Sequence, residues 1–238
     1  MEKPEPSLAR TLTIVIPALN EEKNILLTVH EILPIARQEL DGFELILVND
    51  GSSDGTGLAI DHLAASDNAV RVIHHAQRRG VGASYKEGIL NARMNYVTLI
   101  PGDHEAHPST WPEFFRAVGK ADLVIGYRTN QHVSRPMYRV ILSRLYTWVM
   151  GRLFGVRVRD FHSLVVYPTN TVRRDELQFV GYTYQLELLV ELFRSQVSFT
   201  EVPVVLLPVE AKSTRSLSFQ TLRNVMQTTV RLLTRRQK

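Results

Sequence analysis

There is no cysteine anywhere in the sequence. That excludes disulfides, thiolate catalysis and cysteine-ligated zinc together, and it fits a reducing compartment. Long apolar runs are missing too. No uninterrupted stretch approaches the roughly 18 to 20 residues that span a bilayer, so the chain is expected to be soluble or peripheral to a membrane. The opening MEKPEPSLAR is charged and proline-bearing, unlike a secretory signal. A further absence is regional. Residues 128 to 159 contain no acid, while Arg128, Arg135, Arg139, Arg144, Arg152, Arg157 and Arg159 all fall within them. Internal repeats, low-complexity segments and long linkers are likewise absent, which predicts one domain with a C-terminal elaboration.

What is present is an ordinary globular composition. With 238 residues, 44% of them hydrophobic, the chain can bury a sizeable core. The net charge is +4, and the C-terminus adds Arg223, Arg231, Arg235, Arg236 and Lys238 to the arginine-rich stretch. A field of that sign favours anions: nucleic acid, phosphorylated ligands or an anionic membrane surface.

TLTIVIPALN reads as a buried strand, because β-branched and apolar residues run from Leu12 to Ile16 before a proline stops them. A helix is predicted from Glu21 or Glu22 to about Gln38. FELILVN, AVRVIHH and YVTLI are further strands, each followed or preceded by a helical stretch, GLAIDHLAAS and GVGASYKEGILNARM among them. Such alternation implies a parallel sheet with crossover helices. Beyond residue 108 come a helix at WPEFFRAVGK, a strand at ADLVIGYR and a basic, aromatic-rich helix over 136–154. Strands at SLVVYP and VSFTEVPVVLLP, a helix through YQLELLVELFR and a last helix over 217–234 complete the chain.

Three strand-end loops, PALNEE, NDGSSDGT and PGDHE, open at one edge if the sheet is parallel. They gather the acceptors Asn20, Glu21, Asp50 and Asp54, the hydroxyls of Ser52 and Ser53, and several glycines. Carboxylates suit ribose hydroxyls and base N–H donors, and glycine permits close backbone approach. Nucleic acid as a partner explains the positive charge but not these acidic loops, and is set aside.

In chain order, TIVIPALNEEKNI, LILVNDGSSDGT, QRRGVGASYKEGI and GDHEAHP resemble the successive signatures of family-2 glycosyltransferases with the GT-A fold. The later DLVIGYR, VRDFHSLVVYP, YQLELL and TEVPVVLLP are similar to the polyprenyl-phosphate, dolichol-phosphate mannose synthase-like branch. The resemblance covers residues 11–216. It implies an α/β, Rossmann-like, mainly parallel sheet flanked by helices over that span, after a flexible 1–10 and before an amphipathic basic helix in 217–238.

The resemblance also implies a site. The donor would contact Pro17, Ala18, Leu19, Asn20 and Glu21 in the first loop, Asp50 and Ser52 in the second, Arg79 and Gly80 before the third helix, and Gly102. Leu19 stands where an aromatic is common and Asn49 where a second acid is usual. Asp50 is expected on an exposed loop. Family members carry Asp-x-Asp and then another oxygen ligand. Here Pro101 replaces the first aspartate and leaves Asp103 and Glu105 to hold magnesium or manganese, hard ions that bridge a diphosphate. His104 and His107 are loop structure or substrate contacts. Arg128, in GYR, matches an arginine directed at the phosphates, and an arginine fork binds phosphate bidentately. Asp160 and Glu187 match recurrent acidic positions that serve either chemistry or as structural anchors. Lys212 and Arg215 fall near a flexible basic loop whose arginine is Val209 here. The catalytic candidates are thus Asp103, Arg128, Asp160 and Glu187; the acceptor-binding ones are Arg128, Arg135, Arg139, Lys212 and Arg215.

The activity implied is inverting transfer of a sugar from GDP-mannose or a UDP-sugar to a polyprenyl-phosphate, at the cytoplasmic face of a membrane or on a membrane-embedded partner. The 136–154 helix sets Tyr138, Leu142, Leu145, Tyr146, Trp148, Val149 and Phe154 among arginines. That face suits a membrane interface or packs on the sheet. The last helix, with Leu222, Val225, Met226, Val230 and Leu233, invites the same two readings. Two rivals stay open: a soluble family-2 transferase using Asp160 or Glu187 as base toward a carbohydrate or small hydroxyl acceptor, and a non-catalytic nucleotide-sugar-binding subunit.

Overall fold

The computed structural model describes residues 9–134, 136–174, 184–208 and 219–234. Strand β1 (Thr11–Ala18) leads into helix α1 (Glu22–Glu39), β2 (Gly42–Asn49), α2 (Thr56–Ser66), β3 (Val70–His74), α3 (Val81–Asn91) and β4 (Tyr96–Leu99). After α4 (Thr110–Arg116) and β5 (Leu123–Arg128) come the single turn α5 (Gln131–Ser134), then α6 (Met137–Phe154) and β6 (Val165–Pro168). The turn α7 (Thr169–Val172), α8 (Tyr184–Arg194), β7 (Phe199–Val204) and α9 (Phe219–Thr234) follow.

The strands form one sheet in the order β3-β2-β1-β4-β6-β5-β7. Neighbours run parallel except at β6, which is antiparallel to both β4 and β5. The expected mainly parallel sheet is present, with SLVVYP as its exception. From β1 the chain winds outward to β3, then crosses back to β4 on the other side of β1. That reversal makes the carboxyl ends of β1 and β4 a topological switch point, the place where open α/β sheets bind ligands.

Alternation along the strands sends side chains to two cores. Leu12, Ile14 and Ile16 of β1 join Leu45 and Leu47 of β2 under α1 and α4, which contribute Ile25, Val29, Ile32, Trp111, Phe114 and Phe115. Val15, Ile46 and Val48 face the other side, where α3, α8, α6 and α9 bring Tyr85, Ile89, Leu189, Met150 and Leu232. In α1 the buried positions recur at the three- and four-residue spacing of one helix face.

Helix α6 divides its apolar residues. Tyr146, Val149 and Phe154 pack against the second core, so that part of the helix faces the interior. Met137, Tyr138, Ile141, Leu142, Leu145 and Trp148 are exposed, Trp148 by 67%. On α9, which meets α6 where Thr229 approaches Met150, the residues Met226, Val230 and Leu233 are exposed as well. Among the described residues no helix is long and apolar enough to cross a membrane. Arg135, Val209, Lys212 and Arg215, with the side chains of Leu222 and Val225, lie outside the described residues.

Candidate active site

At the carboxyl edge the first two loops hold each other. Asn20, in the left-handed region at φ 57°, donates its amide N–H to Ser52 Oγ at 3.0 Å and accepts the Ser53 amide on Oδ1 at 2.8 Å. The Glu21 amide donates to Thr56 Oγ1 at 2.9 Å, and the Glu22 amide to Asp54 Oδ2 at 3.4 Å. No side chain of its own caps α1. Its first amides are satisfied from the neighbouring loop instead, as buried helix ends require. Burial works to raise the Asp54 carboxyl, but hydrogen bonds from the Thr56 hydroxyl and amide and from Glu22 hold it below the usual carboxylate range. Asn20 and Ser52, assigned to the donor from sequence, thus first brace these two loops against each other.

Asp50 lies at the end of β2, as expected, but not on an exposed loop: it is 4% exposed. Its Oδ1 accepts the Arg79 amide at 2.8 Å and its Oδ2 the Gly80 amide at 2.8 Å. His75 Nδ1 lies 2.8 Å from the same Oδ1. The turn before α3 folds over the carboxylate and buries it, a tertiary contact that no local pattern announces. Arg79 is exposed and donates from Nη1 to Glu87 Oε2 at 2.6 Å. Gly80 stands at φ 92° with open space where a side chain would be.

The fourth loop is fastened at both ends. Gly102 donates to the Pro17 carbonyl at 3.2 Å, and a Cβ there would meet Ile25, Pro17 and Ala18 at 3.1 to 3.3 Å. Further on, the Leu207 amide donates to the Glu105 carbonyl and the His107 amide to the Val205 carbonyl, around a bridge between Ala106 and Leu206. Between these ties His104 takes the left-handed conformation at φ 56°, with Nε2 2.9 Å from Glu31 Oε1 on α1. His104 is therefore turned to the helix, while Asp103 and Glu105 on either side of it are half-buried. The Glu105 amide donates to Asp103 Oδ1 at 3.3 Å. Among the described residues no three acids or histidines are gathered for a metal. The half-buried carboxylates of Asp103 and Glu105, two residues apart on one loop, are hard oxygen donors of the kind magnesium takes in phosphate sites, where phosphate and water supply the remaining ligands.

Arg128 ends β5 and lays its fork on Asp160: Nε donates to Oδ2 at 2.6 Å and Nη2 to Oδ1 at 2.9 Å. Burial works against the charged form of Asp160, yet the hydrogen bonds and charge of Arg128, with the His162 amide, hold the carboxyl below its usual range. Gln131 Nε2 reaches the same carboxylate at 3.4 Å. Nearby Ser163, also buried, packs against Gly126 with no partner for its Oγ among the described residues. Glu187, the other acidic candidate, accepts from Arg231 Nη2 at 2.6 Å and joins α8 to α9. Arg139 lies beside Tyr138 on the exposed part of α6.

The loops after β1, β2 and β4, expected together from their sequences, lie along one edge of the sheet. His75, Glu87, Gln131 and Ser163 are not among the residues expected at the site. A second histidine at the end of a strand, next to an acidic strand-end loop, was the one available signal.

The model for Glycosyl transferase family 2 matches residues 13–178. Undecaprenyl-phosphate mannosyltransferase of Micrococcus luteus is 29% identical over 205 residues, covering 82% of this chain and 82% of its own. Polyprenol monophosphomannose synthase of Mycolicibacterium smegmatis is 30% identical over 207 residues, covering 82% of this chain and 76% of its own. Among solved structures, glucosyl-3-phosphoglycerate synthase of Mycobacterium tuberculosis, in complex with Mn2+, uridine diphosphate and phosphoglyceric acid, superposes with a TM-score of 0.71 at 22% identity. That match covers 96% of this chain and 80% of the other, and it bears out the expected GT-A fold.

Proposed function

The chain belongs to glycosyl transferase family 2, and on that premise we propose that it moves a sugar from a nucleotide-sugar, GDP-mannose or a UDP-sugar, to a polyprenyl-phosphate at a membrane surface. The observation that carries the lipid half of this reading is α6. Its exposed Met137, Ile141, Leu145 and Trp148 stand at the spacing of one helix face, beside the exposed Arg144 and Arg152. A solvated helix has no use for so many bare apolar side chains; an interfacial one does. Two relatives named for transfer to polyprenyl phosphates support the same acceptor.

The acceptor phosphate is already an anion at neutral pH, so the reaction asks for alignment and charge stabilisation more than for a strong base. The donor is received at the switch point between β1 and β4, beside the first loop with Glu21 and the loop that begins at Gly102. Asp50 holds the turn of Arg79 and Gly80 through both amides, and the exposed Arg79 side chain beside Gly80 is placed toward the diphosphate. Asp103 and Glu105 hold magnesium or manganese. When bound, that ion supplies Lewis-acid stabilisation of the leaving diphosphate. The Arg128–Asp160 pair keeps a fixed, charge-balanced wall beside the reacting groups. Arg139 on α6 is assigned to the lipid phosphate, with Arg135, Lys212 and Arg215, outside the described residues, as the further acceptor-binding candidates of the sequence.

The test is a donor screen. UDP-glucose, UDP-N-acetylglucosamine and GDP-mannose, each labelled in the sugar, are incubated with polyprenyl-phosphate and Mg2+ or Mn2+. Label moving into the lipid fraction with one donor supports the reading. Label moving only to a water-soluble acceptor transfers the assignment to a soluble transferase, and none with any donor to a binding subunit.

A further inference from the structure

His75 follows β3 with its side chain only 2% exposed, and each ring nitrogen meets a carboxylate. Nδ1 lies 2.8 Å from Asp50 Oδ1 and Nε2 lies 3.0 Å from Glu87 Oε2. The imidazole thus spans the two carboxylates, Asp50 and Glu87, and Arg79 Nη1 donates to the same Glu87 oxygen at 2.6 Å. Those three partners come from the end of β2, from α3 and from the turn between β3 and α3. His74, next in the chain, turns instead to Asn49 and Asp61.

We infer that His75 is a positioning residue of the donor site, bridging Asp50 to Glu87 and thereby fixing the turn that carries Arg79 and Gly80. The inference rests on the donor reading above and deepens it. Asp50 grips the amides of both residues of that turn, Glu87 grips the Arg79 guanidinium, and His75 joins the two carboxylates. The exposed Arg79–Glu87 pair is of the kind that contributes little alone; the buried imidazole makes it part of a connected unit. At Gly80 the positive φ and the absence of any atom where a side chain would stand leave room for close approach by a ligand. Without the bridge, the buried Asp50 loses its imidazole partner and the two carboxylates are no longer joined, beside a turn that a negatively charged diphosphate has to reach. Both would repel it.

Calorimetry with UDP-glucose and GDP-mannose on the full chain tests this, with His75→Phe, His75→Asn and His75→Gln alongside. Phenylalanine keeps the volume and removes both hydrogen bonds. Asparagine keeps a donor near the place of Nδ1, and glutamine one near the place of Nε2. Affinity for whichever donor binds should fall at least about tenfold in His75→Phe, the scale of leaving a buried polar group without its hydrogen bond. It should fall less in one or both amide variants, with KM raised and kcat nearly unchanged. Undiminished donor affinity in the variants that fold overturns the role of His75. So does a loss that is the same in all of them and follows melting temperature, which marks core packing alone. Should His75→Phe not fold, the two amide variants decide by the same criteria. Failure of the wild-type protein to bind either donor overturns the donor reading itself, and the inference with it.

Discussion

Arg128 and Asp160 form a two-point ion pair, Nε and Nη2 on the two carboxylate oxygens at 2.6 and 2.9 Å, with side chains 5% and 2% exposed. The arginine that motif reading aims at phosphates therefore starts from a partner of its own. Removing either side leaves a buried charge uncompensated, which costs about 3–5 kcal/mol. Asp160→Asn and Arg128→Ala should each lose stability on that scale in urea unfolding. Arg128→Lys should not restore it, because an ammonium cannot reproduce the fork.

The same pair predicts a pH dependence. The Asp160 carboxyl sits below its usual range in the folded protein, so its contribution is present above the unfolded carboxylate pKa and is lost as pH falls through the lower, folded value. Urea midpoints measured down through the acid range should drop more steeply for the wild-type protein than for Asp160→Asn. Parallel profiles would show that the pair carries no such linkage.

The three strand-end loops were legible because each follows a strongly apolar strand and carries its own polar signature. Their mutual bracing was not. Asn20 with Ser52, Asp50 with Arg79 and Gly80, and Arg128 with Asp160 are all tertiary pairs about thirty residues apart. Burial of Asp50 depends on where the turn before α3 comes to rest, which β-propensity and glycine spacing do not encode. The direction of β6 was hidden for a related reason: Val165–Pro168 reads as a short apolar strand whichever way it runs. Helix α6 was legible as a helix, but its apolar pattern serves core and surface alike, and only the structure separates Tyr146 from Trp148.

Asp103→Ala should reduce turnover by about 10²–10³-fold, the scale of removing one electrostatic stabiliser of a transition state, and Glu105→Ala by less. Excess chelator should abolish turnover, and Mg2+ or Mn2+ should restore it. Full activity in chelator, or a larger loss from Glu105→Ala, would show that this loop is not the metal site.

Arg231 holds the buried Glu187 across α8 and α9. Arg231→Ala should leave that carboxylate without its charge partner, at a cost of about 1–3 kcal/mol, and hydrogen exchange should quicken through Phe219–Thr234. Unchanged protection of that helix would mean that its other contacts, among them buried Thr228 and Leu232 and the Arg194 bond to the Leu232 carbonyl, suffice to anchor it.

On α6, Leu145→Ala and Trp148→Ala remove exposed side chains and should move folding stability by no more than about 0.5 kcal/mol. They should nonetheless weaken flotation with anionic vesicles. Arg139→Ala with Arg144→Ala should weaken it about fivefold per residue and flatten its dependence on salt. Binding indifferent to all four changes would move the membrane contact elsewhere.

The central claim is transfer of a sugar to a lipid phosphate, and the most direct measurement is product analysis with the donor that the screen selects. Polyprenyl-phosphate in anionic vesicles and a panel of soluble hydroxyl acceptors are offered together, and the labelled product is identified by mass. The account predicts a polyprenyl-phosphate sugar with inverted anomeric configuration, lost in Asp103→Ala. A glycosylated soluble acceptor, with the lipid left unmodified, would contradict it.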